Sequence, residues 1–206
     1  MPLQLYDKDR ILDACLAVFA RHGYEKTATA MLAEAAGISK ALIFHHFKNK
    51  KELYLSVLDH CFDRARADMG IDLLPSYRDF FKAMREFSIT KLHYYQMHPD
   101  VYRVMREALH ATPQELKADI QGRYSERIAA KQAVWEHLFE TVPLREGVDR
   151  GQAFELVMMI LDRFEDEYLS LSSAETPVDE AYLQRFLDRL NSFMAMIRYG
   201  VEASAH

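Results

Sequence analysis

Helix punctuation recurs along the whole chain, and strand chemistry is nearly absent. Thr112-Pro113-Gln114-Glu115 places a capping residue, a proline at the first helical position and a carboxylate two residues on. Thr176-Pro177-Val178-Asp179 repeats the device. Both are helix starts with a mechanism: the cap satisfies an orphan N–H, and proline loses nothing where no N–H partner exists. Thr29, Ser39, Asn49 with Glu52, Ser76 with Asp79, and Asp149 with Gln152 are further starts. Gly23 follows an apolar stripe of Ile11, Cys15, Val18 and Phe19 ending at His22, and is a natural stop. No alternating β-branched run and no Asn-Gly hairpin turn occurs. The expected fold is all-α, with about nine helices over 7–22, 29–36, 39–46, 49–69, 76–98, 100–110, 112–140, 149–171 and 176–199. The break at Gly70 to Pro75 is the best linker candidate, with helix four connecting two domains, 1–53 and 54–206.

With 206 residues, half of them hydrophobic and 28% charged, the chain can bury a real core. No apolar run approaches the roughly 20 residues needed to span a bilayer. Asp7, Lys8, Asp9 and Arg10 stand near the start with no apolar block behind them, unlike a secretory signal. A cytoplasmic protein with no membrane partner is expected. Cys15 and Cys61 lie inside helical patterns without metal-like spacing, and read as reduced buried thiols. His93 and Met97 are four apart, but nothing completes a metal site. Glu165, Asp166 and Glu167 are consecutive and fan around their helix. There is no Gly-rich phosphate loop and no nucleophile elbow, so neither enzyme activity nor a cofactor or metal is expected.

The net charge of −5 would argue against nucleic acid, but its distribution matters more. Residues 1–60 hold 8 Lys/Arg against 7 Asp/Glu, so the acid excess lies downstream. From Ala35 to Lys51 the chain carries Lys40, Lys48, Lys50, Lys51, His45 and His46, and no acid. This run sits on two short helices joined by Gly37-Ile38. Ala33, Ala36 and Ile38 are small or apolar where the two must touch. That is the pattern of a helix-turn-helix, although a plain helical hairpin in a bundle fits the spacing equally well. In a helix-turn-helix the second helix enters the major groove by its N-terminal end. Here that end is Ser39, Lys40, Ala41 and Leu42, continuing to Phe44 and His45. Lys40 can donate to guanine O6 and N7, and Phe44 can meet a thymine methyl. Lys50 lies in the first turn of the next helix, where free N–H groups favour a phosphate. His45 reads as exposed and His46 as packed against the first helix.

The segment Ile11 to Leu53 resembles the DNA-binding domain of the TetR family of transcription regulators. The resemblance rests on Phe19 three residues before His22-Gly23-Tyr24, then Thr29, Ala33, Ala36-Gly37-Ile38-Ser39, His46-Phe47, Lys50 and Leu53. It implies that Thr29 and Lys50 hold phosphates and that Lys40, Ala41, Phe44 and His45 face the groove. Ala30, Ala41 and Phe44 depart from more frequent family residues, which implies fewer direct contacts or a different operator.

The rest of the chain is rich in Met and aromatics, which suit an apolar partner surface as well as a core. The resemblance implies an inducer pocket within helices four to eight. Its candidate lining is Phe80, Met84, Phe87, Met97, Met105, Trp135 and Met158, with polar handles Arg66, His93, Tyr94, His98 and Tyr102. The expected effector is largely hydrophobic. In the last two helices, Phe154, Leu161, Tyr168 and Leu171, then Phe186, Leu190, Phe193 and Ile197, recur at helical spacing. A second apolar row beside each makes the stripe wider than one partner helix covers, which points to a homodimeric four-helix contact. The leading expectation is a repressor that binds a palindromic double-stranded DNA operator as a homodimer and is released by a small molecule. An activator of the same fold, and an all-helical carrier or enzyme, are the competing readings.

Overall fold

The computed structural model describes residues 8–172 and 179–201. Among these residues the fold is all-α, with nine helices: α1 (Lys8–Lys26), α2 (Thr29–Ala35), α3 (Lys40–Phe47), α4 (Lys50–Asp68), α5 (Phe80–Met97), α6 (Pro99–His110), α7 (Lys117–Glu140), α8 (Arg150–Ser172) and α9 (Glu180–Val201). Two 3₁₀ turns, Ile71–Ser76 and Gln114–Leu116, punctuate them. Apart from a single bridge residue at Leu144, no β-structure occurs among the described residues. Contacts cluster into two compact units, residues 1–68 with 97–126, and residues 69–96 with 127–206.

The first unit is built on α1, α4 and α6. Leu12, Cys15, Leu16 and Phe19 of α1 are buried, as are Leu53, Val57, Leu58 and Cys61 of α4 and Val101, Val104 and Ala108 of α6. At its centre the Tyr54 ring meets two others edge-on, 4.9 Å from Phe19 and 5.0 Å from Tyr24, centroid to centroid. Such edge-to-face pairs put a positive ring edge against a negative face. In the second unit, Phe80 of α5 packs 4.9 Å from Phe139 of α7, and Phe87 packs 5.4 Å from Trp135. Phe164 of α8 meets Phe186 at 5.3 Å and Phe193 at 5.4 Å on α9.

Several helix starts differ from expectation, each for a local reason. Thr29 is the first helical residue of α2; Ala28 is the cap and offers no side-chain bond. The threonine just before it, Thr27, is buried and turns its hydroxyl back to the Gly23 carbonyl at 2.6 Å. Thr112 likewise bonds back to the Ala108 carbonyl at 2.6 Å, so it closes α6 and does not open α7. Asp79, at 2.9 Å from the Lys82 N–H, caps α5, while Ser76 belongs to the preceding 3₁₀ turn. Asp179 caps α9 through the Tyr182 N–H at 2.6 Å. The expected start at Thr176-Pro177-Val178, like the start of the first helix at Asp7, lies outside the described residues. α1 does not stop at Gly23. That glycine takes φ +72°, the left-handed region open to glycine, and helical turns resume to Lys26.

Candidate nucleic-acid interface and effector cavity

The two short helices α2 and α3 form a helix-turn-helix. α2 ends when Gly37 takes φ +65°, its N–H bonding to the Glu34 carbonyl at 3.0 Å. The Ile38 N–H returns to the Ala33 carbonyl at 3.1 Å. This left-handed closure satisfies the last carbonyls of the helix. Leu32, Ala33 and Ile38 are buried at the turn. Ser39 then caps α3, its Oγ accepting the Leu42 N–H at 3.2 Å.

Burial fixes which face of α3 is outward. Ile43 and Phe47 point into the unit. Ser39, Lys40, Ala41, His45 and His46 are exposed, and Leu42 and Phe44 are half-buried. Lys40, Ala41, Phe44 and His45 lie at helical neighbours i, i+1, i+4 and i+5, so they share one face. The Lys40 ammonium stands 5.9 Å from the centre of the Phe44 ring, a cation–π contact that ties the two. His46 is exposed and does not pack on α1, because Phe47 takes the inward position.

Lys50 is half-buried. Its Nζ donates to the Tyr24 carbonyl at 3.0 Å and the Thr27 carbonyl at 3.3 Å, and lies 4.2 Å from the Tyr24 ring centre. The ammonium thereby serves carbonyls at the end of α1, where the helix dipole favours a cation. Asn49 caps α4 through the Glu52 N–H at 2.8 Å. Lys51 pairs with Asp119 at 3.1 Å. Lys40 and Lys48 remain exposed.

A set of residues that local spacing could not reveal holds this arrangement. Glu107 of α6 accepts the Tyr24 N–H at 2.9 and 3.1 Å and the Tyr54 hydroxyl at 2.9 Å. Tyr24 in turn donates its hydroxyl to Glu115. Burial and then Glu115 push the Tyr24 phenol above its usual range, and burial and then Glu107 do the same to Tyr54. The one signal in the sequence is a carboxylate on a helix whose neighbours are apolar, and its partner stands 83 residues away.

In the second unit, a cavity of about 80 Å³ opens between α5, α7, α8 and α9. Of the residues expected to line a pocket, Met84, Phe87, Trp135 and Met158 meet there. Leu161, Phe186 and Leu190, expected at a subunit contact, line it too. Phe80 is buried beside Trp135, with ring centres 6.2 Å apart. Other expected handles lie apart from it. Arg66 and His93 are exposed, Met97 is 77% exposed, and His98 is half-buried. Tyr94 is buried on α5, and Tyr102 and Met105 are buried on α6 in the first unit. The rim holds Ser88, Lys91, Lys131, Asp162 and Glu165, none of which helical periodicity singled out.

Of the remaining residues expected at a subunit contact, Tyr168 and Ile197 are buried within the chain, Phe154 is half-buried, and Phe193 is 40% exposed. The Leu171 side chain lies outside the described set. The outward apolar residues of α8 and α9 also include Leu156, Met159, Met196 and Tyr199.

The class defined by these features is a helical protein carrying an N-terminal helix-turn-helix. Residues 11–57 match the model of the bacterial regulatory proteins of the tetR family. The chain is 30% identical over 129 residues to the HTH-type transcriptional regulator RutR of Escherichia coli (strain K12), covering 59% of this chain and 58% of RutR. It spans about half the length of the curated relatives it matches. A TetR-like transcriptional regulator from Rhodococcus sp. RHA1 superposes with a TM-score of 0.72 at 18% identity, over 97% of this chain and 99% of that one. FadR of Bacillus subtilis, solved in complex with stearoyl-CoA, gives 0.67 at 16% identity over 93% and 97%. The match to the tetR-family model is thus confined to residues 11–57, while nearly the whole chain shares the fold of the solved TetR-like structures.

Proposed function

We propose that the chain is a ligand-responsive, DNA-binding transcription regulator. In this reading it is a repressor that holds a palindromic operator as a homodimer and lets go when a small molecule binds. The observation that carries the reading is the outward face of α3. Lys40, Ala41, Phe44 and His45 stand together on a Ser39-capped helix whose back is locked by Ile43 and Phe47. A side-chain set of this kind, on a rigid and exposed N-terminal half-helix, suits a major groove. Lys40 is the base reader, and Thr29 and Lys50 flank the groove toward phosphate. Two copies would set their recognition helices roughly 34–36 Å apart, one turn of B-DNA.

The domain reading follows: residues 1–53 bind DNA, and 54–206 bind the effector and associate. The cavity lined by Met84, Phe87, Trp135 and Met158 is the effector site, and its apolar floor supports a ligand with an apolar body. Release works only through differential affinity: the ligand must bind the DNA-free arrangement more tightly than the DNA-bound one. Among the described residues no helix is long and apolar enough to cross a membrane.

The test is selection of bound fragments from a random DNA pool, followed by anisotropy titrations at several salt concentrations. A palindromic consensus with a steep salt dependence supports the reading. Failure to enrich any sequence would overturn it and favour a helical carrier.

A further inference from the structure

The cavity of the second unit carries charges that a purely apolar effector does not need. Its floor is Met84, Phe87, Trp135 and Met158, and its rim includes Lys91, Lys131, Asp162 and Glu165. Lys91 on α5 is already paired with Glu165 on α8. Lys131 on α7 and Asp162 on α8 are different: among the described residues neither makes an ion pair. The Lys131 ammonium stands 6.0 Å from the centre of the Phe87 ring, at the cavity wall. Asp162 and Lys131 nevertheless act on each other electrostatically, so they share one rim. Burial, then Glu165, lifts the Asp162 carboxyl above its ordinary range, against the pull of Lys91 and Lys131.

A ligand with one charge cannot settle this rim. An anion helps Lys131 but faces Asp162 and Glu165. A cation helps Asp162 but faces Lys131 and Lys91. A group with adjacent opposite charges relieves both sides at once, since like charges repel and opposite charges attract. Size sets a second limit. A cavity of about 80 Å³ has room for roughly five to eight water-sized spheres at about 10–15 Å³ each. A phenyl or branched aliphatic group fills that space, and a long acyl chain exceeds it.

We propose that this cavity binds a zwitterionic α-amino acid with a compact apolar side chain, its carboxylate on Lys131 and its ammonium on Asp162. The proposal rests on the reading of this cavity as the effector site. The apolar side chain lies on Phe87, Trp135 and Met158, and the Lys91–Glu165 pair stays closed beneath the head group.

Calorimetric titration of the full chain near pH 7 tests it, using three probes that share a phenyl group: L-phenylalanine, phenylacetate and 2-phenylethylamine. L-Leucine and L-valine extend the series to smaller side chains. Saturable binding of at least one amino acid is expected, at least tenfold tighter than either single-charge probe. Lys131→Met and Asp162→Asn should each weaken that amino acid tenfold or more. Asp162→Asn should at the same time strengthen phenylacetate, a change that mere loss of packing would not give. Both residues keep solvent-exposed surface at the cavity rim, and thermal melting of the variants checks that they fold. Equal binding of a single-charge probe, or no binding of any of the three amino acids, overturns the proposal. Anisotropy with operator DNA separates it from the effector reading. Amino-acid binding without DNA release sinks that reading alone, whereas release by a neutral apolar compound without amino-acid binding sinks this proposal alone.

Discussion

Glu107 of α6 holds the Tyr24 backbone N–H with both carboxylate oxygens, at 2.9 and 3.1 Å. Tyr24 follows Gly23, where the left-handed backbone lets the chain turn beneath that carboxylate. A Cβ at Gly23 would stand 2.9 Å from Glu107 Oε1, so the missing side chain makes room for the acceptor. The same carboxylate takes the Tyr54 hydroxyl, so one residue on α6 fixes the end of α1 and the middle of α4. The helix-turn-helix is the next thing the chain builds.

Removing that acceptor should therefore be costly. Glu107→Ala leaves the Tyr24 N–H in a mostly buried site without its acceptor, at about 1–3 kcal/mol, while the Tyr54 hydroxyl keeps only its longer bond to the Val104 carbonyl at 3.4 Å. Glu107→Gln keeps one acceptor oxygen and should lose less. Urea unfolding followed by circular dichroism checks the order wild type, Gln, Ala. An Ala variant as stable as the parent would show that water replaces the carboxylate freely.

Lys50 has two tasks in this geometry, and a variant separates them. Its bonds to the Tyr24 and Thr27 carbonyls predict that Lys50→Met lowers folding stability by about 1 kcal/mol, the usual net value of such bonds. The donor left over after two carbonyls can still reach a phosphate. If it does, the slope of log affinity against log salt should fall by about one, with all sequences weakened alike. A changed slope with unchanged melting would contradict the carbonyl tie.

Lys40 is exposed on the outward face of α3, its ammonium 5.9 Å from the centre of the Phe44 ring. Lys40→Ala should leave melting unchanged and cost about 1–3 kcal/mol against the preferred base, with relaxed choice at that position. Repeating the random-pool selection with the variant is the check. An identical consensus at identical affinity would remove Lys40 from the readout.

The two thiols report on the first unit. Cys15 and Cys61 are fully buried, and burial pushes each pKa up from an ordinary 9.0 to about 12. The folded chain should resist a thiol reagent at pH 8 and react with two equivalents in urea. The sign of the linkage follows from a folded pKa above the unfolded one. This part of the stability is complete below pH 9 and is lost as pH rises toward 12, by up to about 1.4 kcal/mol per pH unit for each thiol. Rapid labelling at pH 8 without denaturant would show that the unit opens readily.

The helix-turn-helix was legible because its chemistry is local. Ser39 caps the helix it precedes and Gly37 supplies the left-handed stop; the inward face, expected at His46, falls instead at Ile43 and Phe47. The helix start at Thr29 holds but its capping role does not, and the start at Thr112 fails for an equally local reason. A threonine hydroxyl can bond back to the carbonyl four residues earlier as well as forward to a free N–H, as Thr27 and Thr112 do, and the sequence does not choose between them. Glu107 with Tyr24, and the rim formed by Lys131 and Asp162, depend on helices far apart in the chain meeting in space. Periodicity says that Leu190 and Phe186 are apolar and inward. It cannot say that they line a cavity of this chain.

Leu190, Phe186 and Ile197 are buried within the chain, so a charge there would unfold α8 and α9 and say nothing of a dimer. Phe193 and Met196, at 40% and 58% exposure on α9, present apolar surface outward, with Met159 at 61% on α8. Exposed apolar clusters of this kind mark association surfaces. In a symmetric contact each substitution appears twice, so Phe193→Glu with Met196→Glu would set four like charges into it. Sedimentation should show a dimer becoming a monomer with its helical content intact, and operator affinity should fall with it, since one subunit grips only half a palindrome. A double variant that stays dimeric places the contact elsewhere, and one that turns monomeric yet binds the whole operator unchanged separates association from DNA reading.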